Sequence, residues 1–402
     1  MTVVEGTWLL TMTGPPVQHG RVAVEAGRIV ATGADLADRH PDQVIDGVIL
    51  PGLVNAHTHL ELSYLQDAVP PADAFVAWVS RLMEVRQTRN EDADPAVAAA
   101  AREAARQLHA TGTAVVGDIS NTLRTPAILG EAHLAGVVFH ELLGFGPADR
   151  TAQVRAARER AARVSVPGVR VSLAAHAPYS VSPALFAAIR ADLDAHPGDV
   201  STVHVAEGVE EVELIRTGQG PWRGLLDGLG VWDPEWTPPG TSPITYLDDL
   251  GFLDGRVLAV HGVQADGSDL ARLRASGTTL VCCPRSNRWV GAGSPPIDAF
   301  YAAHVRLAFG TDSLASAPDL NLFNELAEAR RLAPRVPARW LLESATAVGA
   351  AALGCAADFG TIEVGKRAAL LAVRMPVAAP DPEEYLVSGV ERACVAWVQA
   401  DG

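Results

Sequence analysis

The chain has 402 residues, 48% of them apolar, which is enough for a barrel-sized core with a smaller companion domain. Its formal net charge of −15, from 47 acids and 32 bases, excludes nonspecific binding to nucleic acid or to an anionic membrane. No apolar run reaches membrane-spanning length, the start MTVVEGTWLLTMTG lacks the basic-then-apolar layout of a secretory signal, and Cys282, Cys283, Cys355 and Cys394 contain no C-x-x-C pair, so the expectation is a cytoplasmic protein with reduced thiols.

Residues 1–48 read as all-β. GRVAVEAGRIVATG gives two alternating strands around Ala26-Gly27, a hairpin turn. From there the chain alternates strand and helix signals. Eight apolar runs appear in order: VILPGLVNAH, TAVVGDIS, VVFHELLG, VRVSLAAHAP, VSTVHVAE, RVLAVHG, TTLVCCP and RLAFGTDS. Helical periodicity separates most of them. In DAFVAWVSRLMEVRQ the apolar residues Phe75, Trp78, Val79, Leu82 and Met83 share one face, and Pro95 opens an alanine-rich helix. Eight such units over roughly 300 residues predict an α/β fold, a (β/α)8 TIM barrel, spanning residues 49–356. A doubly wound open sheet is the competitor, disfavoured because no glycine-rich fingerprint follows the first strand. The insertion at 208–250, with Trp222, Trp232 and Trp236, reads either as extra packing on the barrel rim or as a lid with an aromatic wall. Residues 357–402 return to short strands, GTIEVGKRAALLAV and GVERACVAWVQA. They are expected to pair with residues 1–48 in a small β-sandwich domain.

Five of the twelve histidines, His57, His59, His176, His204 and His261, fall at the carboxyl ends of the first, fourth, fifth and sixth expected strands. Barrel active sites are built at that end. His57 and His59 alternate, so both imidazoles face the same way. Glu207 follows His204 by three residues, and Asp312 ends the eighth run, beside the first strand once a barrel closes. An acid at an apolar strand end is costly unless paired or coordinating. Three imidazoles and one carboxylate, from His57, His59, His204 and Asp312, suit a single divalent ion, zinc or ferrous iron. The bland reading of any one of these residues is a satisfied polar group at a core rim, and of Glu207 a solvated acid at a helix start.

The motifs PGLVNAHTHLE, HAPYSVS, HVAEGVEE, VHGV, CCPRSN, GTDSLAS and GTIEVGKRAALL together resemble the amidohydrolase superfamily, in its deaminase and chlorohydrolase branch. That branch includes cytosine, guanine and methylthioadenosine/S-adenosylhomocysteine deaminases. Over residues 200–320 the run is most similar to the bacterial aminofutalosine deaminases of menaquinone synthesis. The resemblance implies the barrel with a small sheet domain from both termini, a metal on His57, His59, His204 and Asp312, catalytic positions at Glu207, His261 and Asp312, and by analogy a homodimer. One departure is Ala369, where the family's closing motif has aspartate. Two-metal members bridge their ions with a barrel lysine; here Lys366 is the only lysine and lies outside the barrel, which favours one ion, zinc before iron.

The implied reaction is hydrolytic deamination of an aminopurine nucleoside or related heteroaromatic ring. Asp312 takes a proton from water, His261 orients that water, and neutral Glu207 protonates a ring nitrogen. Among nucleoside-deaminating relatives, His176 matches a base contact and Glu84 lies near an acid on the ribose, although a helix-surface glutamate is the plainer reading of Glu84. Arg285, Ser286 and Asn287 follow the seventh strand on the site face, and Arg285 is expected to clamp a substrate anion. Trp78 or the insertion's tryptophans are expected to stack on a ring. The rivals are another hydrolase of the branch, acting on triazines or pyrimidines, and a catalytically dead barrel that only binds.

Overall fold

The computed structural model describes residues 1–36, 38–88, 94–376 and 381–399. Residues 37, 377–380 and 400–402 of the expected small domain lie outside them. The amino-terminal segment forms β1 (Thr2–Leu9), β2 (Val17–Gln18), β3 (Arg21–Glu25), β4 (Arg28–Thr32) and β5 (Gln43–Pro51). β3 and β4 make the expected hairpin, with Ala26 and Gly27 at φ 49° and 72°, the left-handed pair that a two-residue turn demands.

Every one of the eight apolar runs contains a strand. These are β6 (Leu53–Thr58), β7 (Thr113–Ser120), β8 (Ala135–Leu142), β9 (Val169–Ala175), β10 (Ser201–Val205), β11 (Val257–His261), β12 (Thr279–Cys282) and β13 (Arg306–Phe309). Helices occupy the connections between them. β14 (Leu370–Val373) and β15 (Val395–Trp397) then return to the amino-terminal strands, and the terminal sheet runs β15-β14-β5-β1-β3-β4 with β2 also on β1.

Two features differ from the sequence expectation. The eight parallel strands pair as two four-stranded sheets, β6-β7-β8-β9 and β10-β11-β12-β13, rather than as one closed ladder. Side chains take over at the seams. Asn55 on β6 donates to Thr311 Oγ1 (2.7 Å) and accepts from Thr311 N (3.1 Å), and Ser201 Oγ on β10 donates to Leu173 O on β9 (2.8 Å). Backbone bonds cross at the carboxyl ends, from Asp312 N to His57 O (3.1 Å) and from His204 N to His176 O (2.9 Å). The terminal strands pair as one seven-stranded sheet, so the pairing alone does not make a sandwich. Its two faces do separate. Val4, Leu9, Val22, Val24, Ile29, Ile49 and Leu370 form a cluster of their own with Ile362, while the alternate residues Val48, Leu50, Leu371 and Val373 join the main core.

The same seam positions the candidate site. A Cβ on Gly310 would lie 2.7 Å from the His57 carbonyl oxygen, so only glycine lets the end of β13 come against β6. Thr58 Oγ1 donates to Asp312 O (2.9 Å), fixing the next turn. On β7 the buried Asp118 accepts from Leu60 N (2.9 Å) and holds the chain just after His59.

Burial raises the Asp118 carboxyl from 3.8 to about 8. Its proton is therefore kept in the folded chain up to about pH 8 and released on unfolding, so this group's contribution to stability is lost as pH rises from about 4 to about 8. The Asp118→Asn variant keeps the acceptor for Leu60 N and loses the titration. Measured by calorimetry, its Tm relative to wild type should rise by at least about 2 °C between pH 5 and pH 8. A gap that does not change with pH contradicts this account of Asp118.

Candidate metal centre and active site

The carboxyl ends of β6, β10 and β13 bring four side chains to one point. His59 Nε2 lies 3.2 Å from His57 Nε2 and 3.2 Å from His204 Nε2. Asp312 Oδ1 lies 3.7 Å from His57 Nε2 and 3.6 Å from His59 Nε2. The three imidazole nitrogens cannot satisfy one another, because a neutral ring offers only one N–H. His204 uses its proton elsewhere: its Nδ1 lies 2.8 Å from the His176 carbonyl oxygen, so Nε2 turns a lone pair inward. Nitrogen ligands about 2.0–2.1 Å from a tetrahedral ion stand roughly 3.3–3.4 Å from each other, close to the spacing found here. The donor set fits one divalent cation.

Electrostatics point the same way. Burial, with His57 next in effect, pushes His59 well below the ordinary imidazole range, and burial brings His204 down to about 4. Burial works against ionised Asp312, but the hydrogen bond and charge of His57 and the charge of His59 hold its carboxyl well below the usual range. Asp312 Oδ2 accepts from Ser286 Oγ (2.5 Å) and Ser316 Oγ (3.0 Å), which leaves Oδ1 on the imidazole side.

Glu207 and His261 flank this group, with Glu207 Oε2 3.5 Å from His261 Nε2. Burial, followed by the charge of Asp312, raises the Glu207 carboxyl well above its ordinary value and so favours its neutral form. Its backbone N–H is held by buried Glu211 Oε2 (2.9 Å). Ala206, His261 and Asp312 all have positive φ, at 53°, 79° and 59°. Non-glycine residues held in this region concentrate at functional sites.

Above the four-residue cluster opens a cavity of about 720 Å³. Two aromatic blocks wall it. Tyr179 stacks on Trp222 at 3.8 Å between centroids, and Phe145 stacks on Trp232 at 5.1 Å. Trp222, Leu226, Val231 and Trp232 come from the 208–250 insertion, which thus supplies one wall. Trp78 lines the cavity, and the indole N–H groups of Trp78 and Trp222 have no acceptor among the described residues.

The expected substrate contacts divide. Trp78 and His176 line the cavity; His176 Nδ1 is 2.5 Å from Ser180 Oγ. Glu84 does not: it is exposed, because the helix Phe75–Gln87 presents Trp78, Leu82 and Arg86 to the cavity and Glu84 falls off that stripe. Arg285 also differs from expectation. Its guanidinium pairs with both oxygens of Asp319 (2.9 and 2.7 Å), and its backbone N–H donates to Glu325 (3.1 Å), away from the cavity lining. Ser286 and Asn287 touch Asp312 and His261 rather than the cavity.

Two further charged residues that the sequence reading did not single out reach the cavity. Glu141, one residue past His140 on β8, lines the cavity with Oε1 3.7 Å from His204 Nδ1. Arg150 lines it as well. Its guanidinium lies on Gly144, where a Cβ would overlap it, and donates to Gly146 O and to Gln153 Oε1 (2.7 Å). Glu141 sits at a strand's carboxyl end, the same signal that exposed the histidines.

Residues 48–400 match the amidohydrolase family. The chain is an amidohydrolase. It is 34% identical to an aminodeoxyfutalosine deaminase of Deinococcus radiodurans over 86% of this chain and 84% of that protein. A 5-methylthioadenosine/S-adenosylhomocysteine deaminase of Halobacterium salinarum is 31% identical over 89% of this chain and 80% of the other. Among solved structures, a zinc-bound adenosine deaminase of Xanthomonas campestris superposes with a TM-score of 0.79 at 26% identity, covering 98% of this chain and 90% of that one. Helicobacter pylori aminofutalosine deaminase shares the fold, with a TM-score of 0.82 at 23% identity over 96% and 95% of the two chains. The architecture of this amidohydrolase is accordingly the α/β TIM-barrel fold, and the family is metal-dependent.

Protein purified without chelator should contain about one zinc or iron per chain by elemental analysis, as a four-ligand site requires. His59→Ala should lose it. Two ions per chain, or full activity in a metal-free preparation, contradict the assignment.

Proposed function

We propose that this chain is a mononuclear, metal-dependent aminohydrolase that removes ammonia from a 6-aminopurine nucleoside bearing a second, carboxylated ring, as in aminofutalosine. The observation that carries this reading is the convergence of His57, His59, His204 and Asp312, flanked by Glu207 and His261, on the floor of a cavity with two aromatic blocks. The 34% identity to an aminodeoxyfutalosine deaminase supports it, and four unpaired cysteines support a cytoplasmic setting. The domain organisation is part of the same reading. Residues 49–356 are assigned to the barrel domain, with 208–250 as an insertion that walls its cavity, and residues 1–48 with 357–402 to a small β-domain, a reading supported by the separate apolar cluster of the terminal sheet.

A divalent ion, zinc first, would be held by His57, His59, His204 and Asp312, and when bound it lowers the pKa of water toward about 7. Asp312, ionised in its buried setting, receives the proton of the attacking water. Neutral Glu207 gives its proton to the ring nitrogen beside the amine, so that the adjacent carbon accepts the water's oxygen. The amine then leaves as ammonia with the proton that Asp312 took from the water, the water's second proton returns to Glu207, and the ring carbon keeps the oxygen as a carbonyl. His261, across from Glu207, orients the water. His176 and Trp78 contact the base from the cavity wall.

The anion contact moves from Arg285 to Arg150. Arg285 is already neutralised by Asp319, whereas Arg150 faces the cavity beside Phe145 and Trp232 with neutral partners at Gly146 and Gln153. A charge-assisted contact is worth about 1.5–3 kcal/mol. Arg150→Ala should therefore lower kcat/KM on aminofutalosine by about 10–100-fold and leave adenosine within about threefold. Arg285→Ala should not discriminate between the two. A wild-type preference for adenosine or methylthioadenosine turns the reading to the second deaminase type, which the 31% identity to the Halobacterium protein favours.

Glu207→Gln keeps the side chain's shape and removes its proton. In ammonia-release assays it should cut turnover by at least about 10², with metal content unchanged. Loss of metal would make Glu207 a ligand, and unchanged turnover would return it to a bystander.

A further inference from the structure

Asn287 has no part in the mechanism above, yet it is fully buried against it. It sits on the short helix Pro284–Trp289 behind the end of β12. That helix is anchored from outside by Arg285, through Asp319 and Glu325. The Asn287 Nδ2 lies 2.9 Å from His261 Nδ1, while its Oδ1 is buried with no hydrogen-bond partner among the described residues. His261 Nε2, the far side of the ring, faces Glu207 Oε2 at 3.5 Å.

We propose that Asn287 is a positioning residue for the deamination: its amide donates to His261 Nδ1 and so keeps the proton of the neutral imidazole on Nε2, the nitrogen turned to the cavity floor. In a neutral imidazole one nitrogen donates and the other accepts, and the partner of one fixes the role of the other. An N–H aimed at Nδ1 makes Nδ1 the acceptor. His261 then meets the reacting groups as a hydrogen-bond donor. It can hold the oxygen of the attacking water, or the oxygen that develops negative charge, and it has no lone pair there with which to take a proton. The base function falls to Asp312, whose Oδ2 is held by Ser286, the preceding residue of the same helix. Two consecutive side chains thus set the orientation of the two groups on either side of the water position. Reversing the amide would aim its oxygen at His261 and place the ring proton on Nδ1 instead.

The tautomer itself stands apart from the substrate assigned above, and only its kinetic consequence rests on that reading. The test uses metal-loaded, full-length protein labelled with 15N-histidine, with His261→Gln serving to assign the signal. Wild type should show His261 protonated at Nε2 and bare at Nδ1. In Asn287→Asp, equal in shape but offering an acceptor, the proton should move to Nδ1. Turnover of Asn287→Asp should then fall about 10–100-fold, at least as far as in Asn287→Ala, with KM and metal content little changed. A packing role ranks the variants the other way, since the isosteric aspartate fills the space that alanine leaves empty. A wild-type His261 protonated at Nδ1, or an aspartate variant more active than the alanine variant, overturns the proposal. If no nucleoside is deaminated at all, the function assigned above fails, while the NMR measurement still decides the tautomer.

Discussion

Two imidazole nitrogens, those of His57 and His204, each brought within 3.2 Å of the His59 nitrogen next to a half-buried carboxylate, are the constraint on which the rest of this structure depends. Lone pairs so placed repel unless a cation sits among them, and an ionised aspartate in this setting is costly without one. The fold answers by making the arrangement hard to relax. Gly310 admits the end of β13 against the His57 carbonyl, Asn55 clamps Thr311, and Thr58 fixes the Asp312 carbonyl. The positive φ of Asp312 is held by this surrounding framework.

The cavity complements the cluster in the opposite sense. Its walls are largely apolar and aromatic, with Glu141, Arg86 and Arg150 set among them, and burial at its floor favours the neutral form of Glu207 over the ionised one. The hydrogen bond of His57, with the neighbouring imidazoles, offsets burial and holds the Asp312 carboxyl well below the usual range. Two carboxyl groups in one pocket are thus driven to different protonation states, which is the division of labour that combined acid and base chemistry requires.

Much of this was legible in the sequence, for identifiable reasons. The eight strands were, because each is a continuous apolar run buried on both faces. The histidines were, because a strand's carboxyl end is where such folds put chemistry, and the alternation of His57 and His59 aims them together. Glu141 obeys the same rule but follows His140, which points the other way into a bond with Ser120 O, and one position of register separates the two. Arg285 was misplaced because position after a strand gives the face and not the direction. In the helix Pro284–Trp289 the arginine turns outward to Asp319 while Ser286 and Asn287 turn inward. Arg150 opens the helix Arg150–Ala161, where a cation ordinarily reads as solvated surface, and its approach to the cavity depends on the packing of Gly144 and Gly146. Seam closure was illegible for a similar reason, since Asn55 and Ser201 replace backbone pairing with side-chain bonds that no periodicity announces.

The central claim is that these four side chains hold one catalytic cation, and anomalous X-ray diffraction on crystals of the purified protein tests it most directly. At the zinc or iron absorption edge the account predicts a single peak per chain, about 2.0–2.2 Å from Nε2 of His57, His59 and His204 and from a carboxylate oxygen of Asp312. A second peak of equal weight, or one coordinated by Glu141 and His176 in place of His57 and His59, would contradict it.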